Sequence, residues 1–206
     1  MDEIVRAAMD KWPNVPHCYG WLALDARGNW RMRDERAQAL SLAGDKIRNS
    51  TLLGFINRNY GHDERGNWYF QNGPQRVYVD LESAPYIAHT SPTSGLTLHT
   101  GETMPPIDTV FLSKEGNMFL RSGAISGVIL AQLDDRDVAQ CLHQLQLNGS
   151  PVSDDALLHW LESVNQDELS LSLEPFNQGQ GTVPVQQAEL SALMAHAGFI
   201  SNPKID

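Results

Sequence analysis

The chain has 206 residues, of which 41% are hydrophobic and 19% charged; this suits one large domain or two small ones and excludes a collagen-like, low-complexity or mainly disordered protein. Its 25 acidic and 15 basic residues leave a formal charge of -10, which opposes phosphate neutralisation and argues against nucleic acid as a partner. No apolar run approaches the roughly 20 residues of a membrane-spanning helix, and the first residues are acidic rather than those of a secretory signal, so a soluble cytoplasmic chain with no membrane partner is expected.

From the N-terminus, Ile4, Val5, Ala8, Met9 and Trp12 fall on one helical stripe, which Pro13 and Pro16 end. Trp21-Leu22-Ala23-Leu24 and Trp30-Arg31-Met32-Arg33 then flank Asp25-Ala26-Arg27-Gly28-Asn29, the chemistry of a hairpin turn. The turn recurs as Asp63-Glu64-Arg65-Gly66-Asn67 before Trp68. It reads either as a duplicated unit or as the residues any tight turn demands, and the flanking residues, which do not match, favour the second. Between the two turns a helix carries Leu52, Leu53, Phe55 and Ile56, capped by Ser50 or Thr51 and stopped at Asn59-Tyr60-Gly61.

Antiparallel pairs follow. Trp68-Tyr69-Phe70 pairs with 76–81 about Asn72-Gly73-Pro74, 86–90 with 96–100, and 110–112 with 118–120 about Lys114-Glu115-Gly116-Asn117. Ile125 to Leu133 supplies a central strand. Val138, Cys141, Leu142 and Leu145 recur at helical spacing, a second helix over 154–164 starts behind Ser153, 169–173 alternates as a strand, and a last helix covers about 185–197. Hairpins first and helices later predict an α+β fold: an antiparallel, hairpin-rich N-terminal domain at 1–125 packed on a smaller, helix-rich, acidic domain at 126–206.

Charge divides at the same point. Residues 1–125 hold 14 acids and 13 bases, whereas 126–206 hold 11 acids and only Arg136 and Lys204. Within 27–76 nine bases face five acids. This basic segment is expected either to dock on the acidic part, in one chain or across a homodimer, or to receive a small anionic ligand.

HExxH, GxSxG, P-loop and GxGxxG signatures are absent, so no catalytic residue, cofactor or metal is expected. Gly179-Gln180-Gly181-Thr182 reads as a capping loop, and the serine of Gly123-Ala124-Ile125-Ser126-Gly127 lies one place late for a nucleophile elbow. Cys18 and Cys141 read as reduced thiols. Two sets of binding candidates stand out. His89 and His99 lie directly opposite each other if 93–95 forms the hairpin loop, a cross-strand imidazole pair that suits an anion, while a metal would lack a third ligand. Arg58, Tyr60, Trp68 and Arg76, with Arg65 and Tyr69, interleave guanidiniums and aromatic rings, the material for binding carboxylates, phosphates or stacked rings.

The run Trp12-Pro13-Asn14-Val15-Pro16-His17-Cys18-Tyr19-Gly20-Trp21-Leu22, with Gly66-Asn67-Trp68-Tyr69 and Val79-Asp80-Leu81-Glu82-Ser83-Ala84-Pro85-Tyr86, resembles uncharacterised proteobacterial proteins forming a domain of unknown function. It is also similar to a second bacterial group suspected of sensing or binding small molecules. The resemblance spans about 12–90 and implies ligand binding without supplying catalytic residues. Together these readings favour a non-catalytic small-molecule-binding or regulatory module over a hydrolase-type enzyme or an assembly protein.

Overall fold

Turn chemistry sets the first layer of the architecture. In the computed structural model, which describes residues 1–123, 128–163, 167–176, 178–179 and 181–205, three hairpins close with one turn. Gly28, Gly66 and Gly116 each take a positive φ (76°, 82° and 83°). Their amides donate to the carbonyls of Asp25, Asp63 and Ser113, which begin the turns. The Asp25 and Asp63 carboxylates accept the amide and side chain of the asparagine four residues on, and the Ser113 hydroxyl accepts the Asn117 amide. The third copy starts from serine in an unrelated hairpin, so local demand for these residues suffices to explain the repeat.

The chain forms two compact units, Met1–Pro85 with Gly198–Asp206, and Tyr86–Ala197. In the first, α1 (Glu3–Lys11) leads to β1 (Cys18–Leu24), β2 (Trp30–Met32), α2 (Glu35–Ala39), β3 (Asp45–Lys46), α3 (Ser50–Arg58), β4 (Tyr60–His62), β5 (Trp68–Asn72) and β6 (Gln75–Leu81). The sheet order is β3-β2-β1-β6-β5-β4. Asn49, rather than Ser50 or Thr51, caps α3, its side chain accepting the Leu52 amide. All pairs are antiparallel except β1 with β6: α3 carries the chain to the far edge, and β4, β5 and β6 return as a meander to lie beside β1.

Strand alternation gives this sheet two unlike faces. Leu22, Leu24, Trp30, Phe70, Val79 and Leu81 are buried on one, where Phe55 of α3 meets Phe70 edge-on at 5.4 Å and Asn57 accepts the Trp30 indole N–H at 2.8 Å. Tyr69, Arg76, Tyr78, Asp80, Ala23 and Arg31 share the other face through the pairings Tyr69↔Tyr78, Ala23↔Asp80 and Ala23↔Arg31. The returning C-terminal segment lies at one end of this sheet: the Ile200 amide donates to Gly66 and the Leu81 amide to Ser201.

The second unit is built on β7 (Tyr86–Ser91), β8 (Gly95–Leu98), β9 (Thr109–Leu112), β10 (Met118–Ser122), β11 (Ile129–Leu133), α4 (Val138–Leu142), β12 (Leu145–Leu147), β13 (Ser150–Pro151), α5 (Asp154–Glu162), β14 (Leu169–Ser172), β15 (Thr182–Gln187) and α6 (Leu190–Ala197). Its nine strands run β13-β12-β14-β15-β9-β10-β11-β7-β8. Val110, Met118, Leu120, Ala131, Leu145 and Leu171, each at most 1% exposed, centre its core.

Three expectations are corrected. The division falls at Pro85 and not near 125, because β10 and β11 pair across that point with Ser122 opposite Ile129. The fold is mixed rather than wholly antiparallel, since β1–β6, β7–β11 and β9–β15 are parallel. The expected helix from 185 is strand to Gln187 and helix only from Leu190, because Val183 and Val185 turn inward beside β9. Ala124 to Gly127, Val164 and Gln180, named in the sequence readings, lie outside the described residues. The units also divide the charge: 86–197 carries 13 acids and three bases, whereas the first unit has 12 of each.

Candidate functional site

Three adjacent strands of the first unit each set a tyrosine on the polar face of its sheet. Tyr69 of β5 is the register partner of Tyr78 of β6, with ring centroids 5.9 Å apart and edge-on. Tyr19 of β1 stacks on Tyr78 at 4.6 Å and 15°, and the neighbouring His17 meets Tyr78 edge-on at 5.7 Å. β1 slips register against β6 between Cys18 and Leu22, where Gly20 takes a φ of 76°. These rings, the turn at 63–67, Arg76 and Ile200, Asn202 and Lys204 of the C-terminal segment line a cleft of about 820 Å³.

The charges in this cleft are arranged unequally. Asp63 is committed to its turn: it accepts the amides of Arg65 and Asn67, the Asn67 side chain and the Tyr78 hydroxyl. Burial raises its pKa, but these donors outweigh burial and hold the carboxyl below the usual range. Arg76 lies over the Tyr69 ring at 4.5 Å. Burial disfavours its charge, and the Tyr78 hydroxyl with the field of Tyr69, Tyr78 and Asp63 more than offsets that, so its pKa is raised.

Half-buried arginines elsewhere have carboxylate partners. Arg31 pairs with Asp25 at 2.8 Å, Arg33 with Asp80, and Arg121 with Asp108 at 2.7 Å. Among the described residues Arg76 is the half-buried arginine with no ion pair. A guanidinium held by a ring, partly desolvated and with no carboxylate in ion-pair contact among the described residues, is poised to take an anion.

Of the basic aromatic candidates, the structure brings only Arg76 into the cleft, with Arg65 and Tyr69 beside it. Arg58 sits at the end of α3 and pairs with Asp2 at 3.2 Å, 60% exposed. Tyr60 and Trp68 point to the α3 face, one residue out of phase with Tyr69; Tyr60 packs on Trp30 and Trp68 and donates to the Pro85 carbonyl at 2.9 Å. Alternation along β4 and β5 therefore splits a set that looked continuous in sequence.

His89 and His99 are not opposite each other. Pro92 has no N–H to give the ladder, so the loop is 92–94, Ser91 pairs with Gly95, and His89 faces Thr97. His99 instead exchanges bonds with Ile87: its amide donates to the Ile87 carbonyl at 2.7 Å and its Nδ1 accepts the Ile87 amide at 3.2 Å. Burial, then the neighbouring His89 charge, push the His99 pKa down to about 3. His89 Nδ1 lies 3.3 Å from the fully buried Asp134 carboxylate and 3.8 Å from Asp137. Arg136, hydrogen-bonded to Asp134 at 2.9 Å, is the chief cause holding that carboxyl far below its usual range, against the opposing effect of burial. Among the described residues no group of three or more His, Cys, Asp or Glu is arranged to hold a metal.

Sequence reasoning missed His17, Tyr19, Tyr78 and Lys204 as cleft residues. Tyr78 was legible two places after Arg76 on one strand, hence on its face. Tyr19 and Lys204 carried no such signal, because a parallel pairing and a returning C-terminal segment bring them there.

Comparison with known proteins gives a family and no activity. The model of the family DUF2944, described as "Protein of unknown function (DUF2946)", matches residues 1–204. A solved structure of a DUF1285 family protein from Silicibacter pomeroyi DSS-3 is similar at 13% identity and a TM-score of 0.47, over 89% of this chain and 94% of that one. No curated protein matches the chain. The chain belongs to the DUF2944 family.

Proposed function

We propose that this DUF2944 protein is a non-catalytic binding or regulatory module that takes a small anionic ligand in the cleft of its first unit. One observation carries the reading: Arg76 is half-buried over Tyr69 in a cleft of about 820 Å³ and makes no ion pair among the described residues. That volume lies within the usual range of small-molecule sites, roughly 300–1,000 Å³. Exposed Lys204 and Arg65 add attraction for an anion; of the two carboxylates that line the cleft, Asp63 is tied into its turn and Glu64 is exposed to solvent.

A hydrolase reading has the His89–Asp134 contact in its favour, but among the described residues the polar partners of that imidazole are carboxylates, with no hydroxyl or thiol to serve as nucleophile. No helix among the described residues is long and apolar enough to cross a membrane, and both cysteines are free, in keeping with a cytoplasmic site of action. Thermal melting with a panel of small anions tests the binding reading. Saturable stabilisation by at least one anion, lost in Arg76→Gln, is expected; stabilisation of wild type and variant alike would exclude Arg76 as the contact.

A further inference from the structure

We infer that the ligand is an aromatic carboxylate, its carboxylate on the Arg76 guanidinium and its ring against His17 and Tyr19. The inference rests on the anion-binding reading above and narrows it to one class. A phosphate group offers three oxygens on tetrahedral phosphorus and is usually met by several donors, commonly backbone amides of a loop or helix N-terminus.

The cleft lacks that provision. Its lining comes from strands, a turn and the C-terminal segment, with no helix contributing. Within the turn the amides that might form an anion nest are already committed: those of Arg65 and Asn67 bond the Asp63 side chain, and that of Gly66 bonds the Asp63 carbonyl. Of the charged or chargeable donors lining the cleft, Arg65, Lys204, His17 and His62 are exposed, and the half-buried one, held over a ring, is the planar fork of Arg76. A planar carboxylate matches such a fork with two parallel hydrogen bonds.

The rest of the wall suits a flat, apolar body. Tyr69 and Tyr78 are buried beneath Arg76 and Tyr19, whereas Tyr19 is half-buried and His17 exposed, so these two present ring surface at the cleft. Aromatic pairs attract one another through their ring quadrupoles beyond the area they bury, so a ring is favoured over a saturated body of similar size. The adjoining cleft of about 500 Å³ makes a useful contrast: Arg31 and Arg33 line it, but Asp25 and Asp80 already neutralise them.

Isothermal titration calorimetry on the full chain with benzoate, 2-naphthoate, cyclohexanecarboxylate, phenyl phosphate and inorganic phosphate tests the class. The aromatic carboxylates are expected to bind saturably and about three- to tenfold more tightly than the other three. Arg76→Lys keeps the charge but loses the fork and the stacking, and is expected to weaken benzoate by about tenfold or more while far-UV circular dichroism and melting temperature stay those of wild type. Tyr19→Leu should weaken 2-naphthoate more than cyclohexanecarboxylate. Phosphate or phenyl phosphate binding as tightly as benzoate would leave the anion site standing and overturn the class, as would cyclohexanecarboxylate equalling benzoate. Binding of none of the five would overturn both.

Discussion

His99 is a half-buried residue whose imidazole is fixed by its neighbours. Its Nδ1 accepts the Ile87 amide, so the neutral ring carries its proton on Nε2. The unfolded chain takes up the proton near the ordinary 6.5, the folded chain only near 3. Folding therefore excludes a proton that the unfolded state binds, so the stability gained is complete above about 6.5 and is lost as pH falls from there towards 3. Carboxylates with lowered values, such as Asp63 and Asp108, contribute acid sensitivity only below about 4, so the higher part of the window isolates the histidine. Urea denaturation of wild type and His99→Asn at about pH 7 and about pH 5 should show the larger acid loss in wild type. Equal losses would mean that His99 is protonated in the folded protein.

At the scale of elements, the repeated turn offers a controlled comparison. Gly66 and Gly116 have nearly the same φ, 82° and 83°, yet a Cβ on Gly116 meets nothing within 4 Å while one on Gly66 would lie 1.8 Å from the Gly198 carbonyl oxygen. Gly116→Ala should cost about 1–2 kcal/mol, the left-handed strain alone. Gly66→Ala should cost more, because the C-terminal segment that bonds Gly66 and Leu81 must also move. Urea denaturation of the two variants checks this, and equal losses would show that the segment contributes nothing to the first unit's stability.

Hairpins were the most legible elements because their turns are written in contiguous residues: 18–32 and 109–122 fold about the Gly-Asn sites expected of them, whereas the turn at Gly66-Asn67 also closes a β4–β5 pairing that was not expected, because Tyr60-Gly61 reads as a helix stop. The parallel pairs were not legible, since no local signal says that β6 lies beside β1 or β15 beside β9. The site follows the same rule. Arg76 could be picked out by type, but which rings accompany it depended on strand phase, which excluded Tyr60 and Trp68, and on distant chain, which supplied Tyr19 and Lys204. The histidine pairing failed by a two-residue shift that Pro92 dictates.

For the whole molecule, the two units differ most in charge. The first has balanced acids and bases, and its Arg31, Arg33 and Arg58 pair with Asp25, Asp80 and Asp2 of the same unit. Residues 86–197 hold 13 acids against three bases, so like-charge repulsion opposes folding of the second unit. Raising salt from about 0.01 M to about 0.15 M shortens the Debye length from about 30 Å to about 8 Å. Hydrogen exchange read peptide by peptide should show protection rising with salt in 86–197 and little change in 1–85; a rise confined to the first unit would contradict this charge division.

Whether an anion sits on Arg76 is tested most directly by side-chain spectroscopy of protein labelled with nitrogen-15 in its arginines. Arg31, Arg33 and Arg121, each with a carboxylate already in place, serve as internal controls for general ionic effects. On titration with benzoate the Arg76 Nε–H signal should move saturably, with the three controls stationary. Saturable binding that leaves the Arg76 signal in place, or four signals that drift together without saturation, would contradict the account.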